Sequence, residues 1–212
     1  MTYSIVARDP ATGELGVAVA SRALAVGALC PWIEAGVGAV ATQAMVDVTY
    51  GSKALAALRQ GTAPTALLGE LTSADPEAAG RQVAVIDASG RVAVHDGELC
   101  VPESGHVVGE QFSCQANMMR NPQVPEAMAD AFTTSGGSLL DRMLHALDAA
   151  EGTGGDFRGR QSSAIKVVSA DPGDRFGGLL VDLRVDDHAE PLVELRRLVD
   201  LYRTAGWFGG RS

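Results

Sequence analysis

Thr2-Tyr3-Ser4-Ile5-Val6-Ala7-Arg8 is followed by Asp9-Pro10-Ala11-Thr12-Gly13 and then by Leu15-Gly16-Val17-Ala18-Val19-Ala20-Ser21. Two runs rich in Val and Ala thus flank a segment holding Pro and Gly, the pattern of an antiparallel hairpin. Thr2 is small enough for the preceding Met1 to be trimmed. Trimming would place a hydroxyl and a free α-amine on one residue at the end of a rigid strand. A threonine hydroxyl is a poor nucleophile until something takes its proton, and an α-amine titrating at about 7.7–8.0 is a suitable acceptor near neutral pH. The same two residues also suit an ordinary chain start.

A third strand, 37–43, follows the break at Gly36, and the residues around these strands are small: Ala18, Ala20, Gly38, Ala39 and Ala41. Strands built this way can be covered closely on both faces. From Tyr50 the period becomes helical, over 51–60 and 63–72, and Asp75-Pro76-Glu77 carries the capping chemistry of a short third helix. The strand period returns over 82–87, 92–95 and 105–115. A helical stretch over 125–150 is interrupted near Ser135-Gly136-Gly137, and a Gly-rich loop over 152–159 leads to strands 162–168 and 179–185 and a last amphipathic helix, 191–205. Hairpins alternating with helix pairs fit two stacked antiparallel sheets with helices on their outer faces, an α+β, four-layer αββα sandwich. No long linker or internal repeat divides the chain, so 1–212 reads as a single domain.

At 212 residues the chain can bury about 70% of its unfolded surface. Lys and Arg number 17 against 26 Asp and Glu, and the net charge of -9 argues against nucleic acid or an anionic membrane as the main partner. The start lacks a basic cluster leading into an apolar run, and the longest uncharged runs are too short for a membrane span, so the expected compartment is the cytoplasm. Three widely spaced cysteines, Cys30, Cys100 and Cys114, form no C-x-x-C pair and read as free thiols. Gly152-Thr153-Gly154-Gly155 lacks the Lys-Ser/Thr ending of a phosphate loop, and no Gly-x-Ser-x-Gly elbow occurs. Along Asp186-Asp187-His188 only Asp186 and His188 could share one face, and capping of the following helix by the acids is the better reading. No metal or redox cofactor is called for.

The opening hairpin, Ala20-Ser21-Arg22 and the strand Gly38-Ala39-Val40-Ala41-Thr42-Gln43-Ala44 resemble the N-terminal-nucleophile (Ntn) hydrolases, notably proteasome-type subunits. Together with Gln115-Ala116-Asn117-Met118-Met119, Gly154-Gly155-Asp156-Phe157-Arg158-Gly159 and Val181-Asp182-Leu183-Arg184-Val185-Asp186-Asp187-His188, the whole chain is similar to a prokaryotic Ntn-hydrolase-like family of unknown function. The resemblance implies the Ntn type of αββα sandwich and names Thr2 as nucleophile. It further implies an oxyanion-binding turn at Thr42, Gln43 and Ala44, where a plain strand-to-helix bend is the other reading, and a small residue near the nucleophile at Cys114, where a small buried apolar thiol is the favoured one. Ser21, Arg22, Gln43, Cys114, Asn117 and Gln161 lie at or near strand ends or strand-to-helix turns that stacked sheets bring to one edge, and they are expected to converge on Thr2. Asp156, with Arg158 and Gln161, sits in or beside the Gly-rich loop, where the three residues suit either the binding of a polar or carboxylate substrate or a surface charge cluster.

One departure from the pattern stands out. The Asp–Lys pair of proteasome-type sites is missing, because the stretch reads Ala18-Val19-Ala20-Ser21-Arg22 and no lysine precedes Lys53. Arginine cannot accept a proton, so the amine of Thr2 would act almost alone. Two functions follow: hydrolysis of a small non-peptide amide, by a chain that self-associates into a homo-oligomer as this fold type commonly does, or a binding or assembly role that keeps the fold without the chemistry.

Overall fold

The computed structural model describes residues 2–100, 103–173 and 176–205. Met1, whose removal the sequence reading invokes, lies outside them. Among the described residues there are ten strands and five α-helices.

β1 (Thr2–Arg8) and β2 (Leu15–Ser21) form the expected hairpin, with Thr2 opposite Ser21 and Arg8 opposite Leu15. Asp9 closes the turn by accepting the Ala11 and Thr12 amides on its carboxylate. β3 (Pro31–Glu34) pairs with β4 (Gly38–Ala44). α1 (Thr49–Arg59) and α2 (Pro64–Ala74) follow, then β5 (Arg81–Asp87), β6 (Val92–Asp96), β7 (Gly105–Gly109) and β8 (Phe112–Asn117). α3 (Val124–Thr134), α4 (Leu139–Gly152), β9 (Ser162–Val168), β10 (Leu179–Val185) and α5 (Pro191–Ala205) complete the order.

One sheet runs β10-β9-β2-β1-β8-β7 and the other β3-β4-β5-β6, and every pairing is antiparallel. The sheets stack face to face, with β1 and β2 against β4. α3, α4 and α5 cover the outer face of the six-stranded sheet, and α1 and α2 cover the outer face of the four-stranded one. The architecture is therefore α+β, a four-layer αββα sandwich, the layer order that the sequence pattern and the resemblance both implied. No described helix is long and apolar enough to cross a membrane.

Three apolar layers hold the sandwich together: Tyr3, Ile5 and Ala7 with Met143 and Leu147 on the helix side, Val6, Val17 and Val19 with Ala39, Ala41 and Ala84 between the sheets, and Val40, Val83 and Val85 with Leu55 and Leu67 beyond. Small residues are required for this spacing. A Cβ on Gly38 would lie 2.5 Å from both the Ile86 carbonyl oxygen and Leu58 Cδ1, and one on Gly16 would lie 2.4 Å from Met143 Cε.

Local chemistry explains where the sequence expectations shift. The single strand expected over 105–115 is two, because Gln111 adopts φ +61° and folds Glu110-Gln111 into a two-residue hairpin loop between β7 and β8. Asp75-Pro76-Glu77 does not start an α-helix. The Asp75 carboxylate accepts the Glu77 amide, the Tyr50 hydroxyl and Arg81 Nε, and the chain passes through a short 3-10 turn, Ala78–Gly80, into β5. α4 begins directly after Ser135-Gly136-Gly137, at a capping box in which Ser138 and Asp141 bond reciprocally. β3 carried no clear period in so short a run, and it is ordered by pairing with β4 and by Trp32 lying over Gly51.

Gly38→Ala is expected to destabilise the protein by about 1–3 kcal/mol, since backbone cannot yield to the new methyl. Gly69→Ala, in α2 with open space around the added Cβ, should instead stabilise by roughly 0.5–1 kcal/mol. Thermal melts of the two variants check both signs.

Candidate functional site

Strand alternation sorts β1 into two sets. Tyr3, Ile5 and Ala7 join the helix-facing layer, whereas Thr2, Ser4 and Val6 face the other sheet. The same parity in β2 and β8 turns Val17, Val19 and Ser21 and then Ser113, Gln115 and Asn117 inward, and β4 and β5 contribute Gln43 and Gln82 from across the gap. The inter-sheet layer is thus apolar around Val6 and Val17 and becomes polar toward the Thr2 end. All of these polar side chains are buried, Thr2 being 6% exposed and Ser21 3%.

Their hydrogen bonds form a directed chain. The Ser113 hydroxyl donates to Gln115 Oε1 (3.0 Å), Gln115 Nε2 to Ser4 Oγ (2.6 Å), Ser4 Oγ to Gln43 Oε1 (2.7 Å) and Gln43 Nε2 to Gln82 Oε1 (2.5 Å). Gln82 Nε2 donates to Asp96 Oδ1 and to the carbonyls of Ala116 (3.0 Å) and Gly105 (3.3 Å). Asp96 Oδ2 in turn pairs with His106 Nδ1 at 2.9 Å. Thr2 joins this layer through its hydroxyl, 3.1 Å from Ser21 Oγ, and through its carbonyl, which accepts from Gln43 Nε2 at 3.4 Å. Among the described residues no charged side chain is hydrogen-bonded to Thr2.

The structure brings together three of the expected partners. Ser21 touches Thr2, Gln43 bonds its carbonyl, and Asn117 lies directly opposite it in the β1–β8 register and donates through Nδ2 to Gln82 Oε1 at 2.9 Å. Arg22, Asp156 and Gln161 form a separate cluster at the adjoining strand ends. Asp156 accepts the Arg22 amide (2.9 Å) and the Arg158 amide and guanidinium, while the exposed Arg22 guanidinium bonds Gln161 Oε1. Gln161 also donates to Asp187 (3.1 Å).

Three expectations need correction: Cys114 beside the nucleophile, the turn at Thr42-Gln43-Ala44, and the capping of α5 by Asp186 and Asp187. Cys114 points away from Thr2, because β-strand parity places it with Ile5 and Ala116 against the helices, where burial pushes its thiol pKa up. Thr42 likewise faces outward with Val40, its N–H donating to the Cys30 carbonyl (3.1 Å) and its hydroxyl to the Asp47 carbonyl (3.3 Å). The turn expected at Thr42-Gln43-Ala44 is strand up to Ala44, which leaves β4 with φ +68°. The acids at 186 and 187 do not cap α5 either. His188 Nδ1 accepts the Glu190 amide there, and Asp186 pairs with Arg184.

Sequence reasoning missed Ser4, Gln82, Gln115, Asp96 and Cys30. The signal was present in Phe112-Ser113-Cys114-Gln115-Ala116-Asn117, where uncharged polar residues recur at period 2 in a buried strand. Cys30 lies between the sheets with Sγ 3.9 Å from Gln43 Oε1, its thiol pushed up to about 12 by burial. A crevice without room for a water molecule, lined by Tyr3, Ala20, Ser21, Glu151, Asp156 and Arg160, lies beside Ser21 at the C-terminal end of α4. Within it the Tyr3 hydroxyl donates to Glu151 Oε2 at 2.5 Å, and burial followed by the Glu151 charge raises its pKa. Among the described residues no group of three or more His, Cys, Asp or Glu is placed to hold a metal ion.

Residues 2–195 match the model of a family described as being of unknown function, DUF1028. A crystal structure of a protein from Silicibacter pomeroyi assigned to the same family is 33% identical, covers 94% of this chain and 85% of its own, and superimposes with a TM-score of 0.86. More remote similarity is found to Anbu (ancestral beta-subunit) from Yersinia bercovieri, 12% identical over 99% of both chains at a TM-score of 0.46. It also extends to an Anbu mutant from Hyphomicrobium sp. strain MC1, 14% identical over 100% of this chain and 99% of that one at 0.42. No curated protein matches the chain. By its match over residues 2–195 and its 33% identity to a solved member, the chain belongs to the DUF1028 family of unknown function.

Proposed function

We propose that the protein is an N-terminal-nucleophile hydrolase of small non-peptide amides, with Thr2 as nucleophile once Met1 has been removed. The observation that carries this reading is the Thr2 hydroxyl on the inter-sheet face of a central strand, 3.1 Å from Ser21 Oγ, on a residue whose carbonyl accepts from the Gln43 amide. In the proposed reaction Thr2 Oγ1 attacks the amide carbon and its proton passes to the residue's own α-amine. The C–N bond then breaks as that proton moves to the leaving nitrogen, and an ester to Thr2 remains. Water attacks the ester, giving the carboxylic acid and restoring the hydroxyl. The Ser21 hydroxyl and the Gln43–Ala44 strand end would steady charge on the carbonyl oxygen, where preorganised donors are worth several kcal/mol in a buried site. Arg22 and the Asp156–Gln161 cluster would hold a polar group of the substrate.

The same reading takes residues 1–212 as one domain, acting in the cytoplasm as a homo-oligomer without a metal or redox cofactor. A non-catalytic binding or assembly role is the second reading. It is favoured by the 6% exposure of Thr2 and by the lack of a charged partner bonded to it among the described residues.

The two readings part on measurable grounds. Intact mass of protein from its native host should correspond to a chain starting at Thr2, and a fully retained Met1 would leave the amine blocked and the binding role standing. Against a panel of small amides, ureides and acyl-amino compounds, Thr2→Ala should reduce turnover to background while Thr2→Ser keeps part of it. Loss of the single contact to Ser21 should cost Thr2→Ala only about 1 kcal/mol. Turnover by Thr2→Ala at the wild-type rate would remove Thr2 from the chemistry.

A further inference from the structure

The orientation of the buried amides beside Thr2 is chemically determined. Gln82 Nε2 is surrounded by three groups that only accept, the Asp96 carboxylate and the carbonyls of Ala116 and Gly105, so the nitrogen must occupy that position. Its Oε1 consequently faces Thr2's end of the layer, where it accepts from both Gln43 Nε2 and Asn117 Nδ2. Asn117 must therefore present its nitrogen to Gln82 and turn its oxygen the other way. That oxygen, Asn117 Oδ1, is buried and has no hydrogen-bond partner among the described residues. Leaving a buried acceptor unmade carries the desolvation penalty of that group, and a flip of the amide, which would normally relieve it, would set oxygen against oxygen at Gln82.

We propose that Asn117 Oδ1 is a specificity-determining acceptor for an N–H group of the substrate, so that primary and secondary amides or ureides are taken and fully N-substituted amides are refused. The proposal rests on the reading of Thr2 as the nucleophile only in that Asn117 is its cross-strand partner. A site that holds a fixed, unpaired acceptor rejects a ligand lacking the donor more strongly than an apolar pocket rejects an added methyl. The neighbouring polar atoms do not compete for the role. Gln43 Oε1 already accepts from Ser4, and Gln115 Oε1 from Ser113.

The test uses Thr2→Ala protein, which binds without turnover, labelled with ¹⁵N and titrated with N-butylacetamide and with its tertiary analogue N-butyl-N-methylacetamide. The expected result is a saturable shift of the Asn117 side-chain NH₂ signal with the secondary amide and at least about tenfold weaker binding of the tertiary one. Asn117→Leu should weaken the secondary amide by a similar factor while its melting temperature stays level or rises, because Gln82 Oε1 keeps its bond from Gln43 and the unpaired acceptor is gone. Equal binding of the two amides overturns the proposal, whether the acceptor is then served by the Thr2 amine or by water. So does the absence of a saturable response to either. The comparison of the two amides needs no variant at Asn117, so it decides the matter even where Asn117→Leu fails to fold. Selective binding together with no hydrolysis by the wild-type chain would retain the acceptor role and discard the nucleophile.

Discussion

The in-register pairing of β1 with β2 on one side and β8 on the other is the constraint from which the rest of the molecule follows. Because side chains alternate across a strand, those two ladders decide that Thr2 and Ser4 look toward the second sheet and that Tyr3 and Ile5 look toward the helices. A slip of one residue would exchange the sets, putting a tyrosine and an isoleucine among glutamines and two hydroxyls among methionines and leucines. The apolar layer around Val6, Val17 and Val19 excludes such a slip, since each of those residues would have to leave a buried site worth roughly 1.5–3 kcal/mol. The core and the candidate site are thus specified by one register.

Much of this was legible beforehand. The bounds of β1, β2, β9, β10 and α5 follow from hydrophobic period together with Gly and Pro, and so does the order of layers. What escaped was either short or nonlocal. β3 is four residues long and owes its form to β4, and the split between β7 and β8 depends on a glutamine in a left-handed conformation, which composition does not announce. For the site, strand ends were a sound guide to Ser21, Gln43 and Asn117. Proximity in sequence to a strand end does not state which face a residue takes, and counting parity from the Thr2–Asn117 pair would have removed Cys114 at once. Gln82 and Asp96 were invisible because their part is played with groups ten or more residues away.

Charge placement follows a similar logic. The ionised groups near the Thr2 end are kept outside the inter-sheet layer, in pairs such as Asp156 with Arg158 and Glu151 with Arg160, each joining a largely buried carboxylate to a guanidinium that water still reaches. Among the described residues the layer itself is built from hydroxyls and carboxamides and reaches a carboxylate at Asp96, on a strand at the edge of the smaller sheet. Keeping the interior neutral avoids the desolvation cost that a buried ion would carry.

The directed amide chain has a mechanical consequence. Two sheets joined only by methyl groups can shear past each other by a fraction of an ångström at little cost, since dispersion is soft and has no preferred direction. Here Ser4, Gln43, Gln82 and Asn117 span the gap with bonds that lose their energy once length or angle departs from a narrow range. They act as dowels between two plates. The sheets must rock as one body, and any movement that opens a way to Thr2 has to come from the loops at the strand ends.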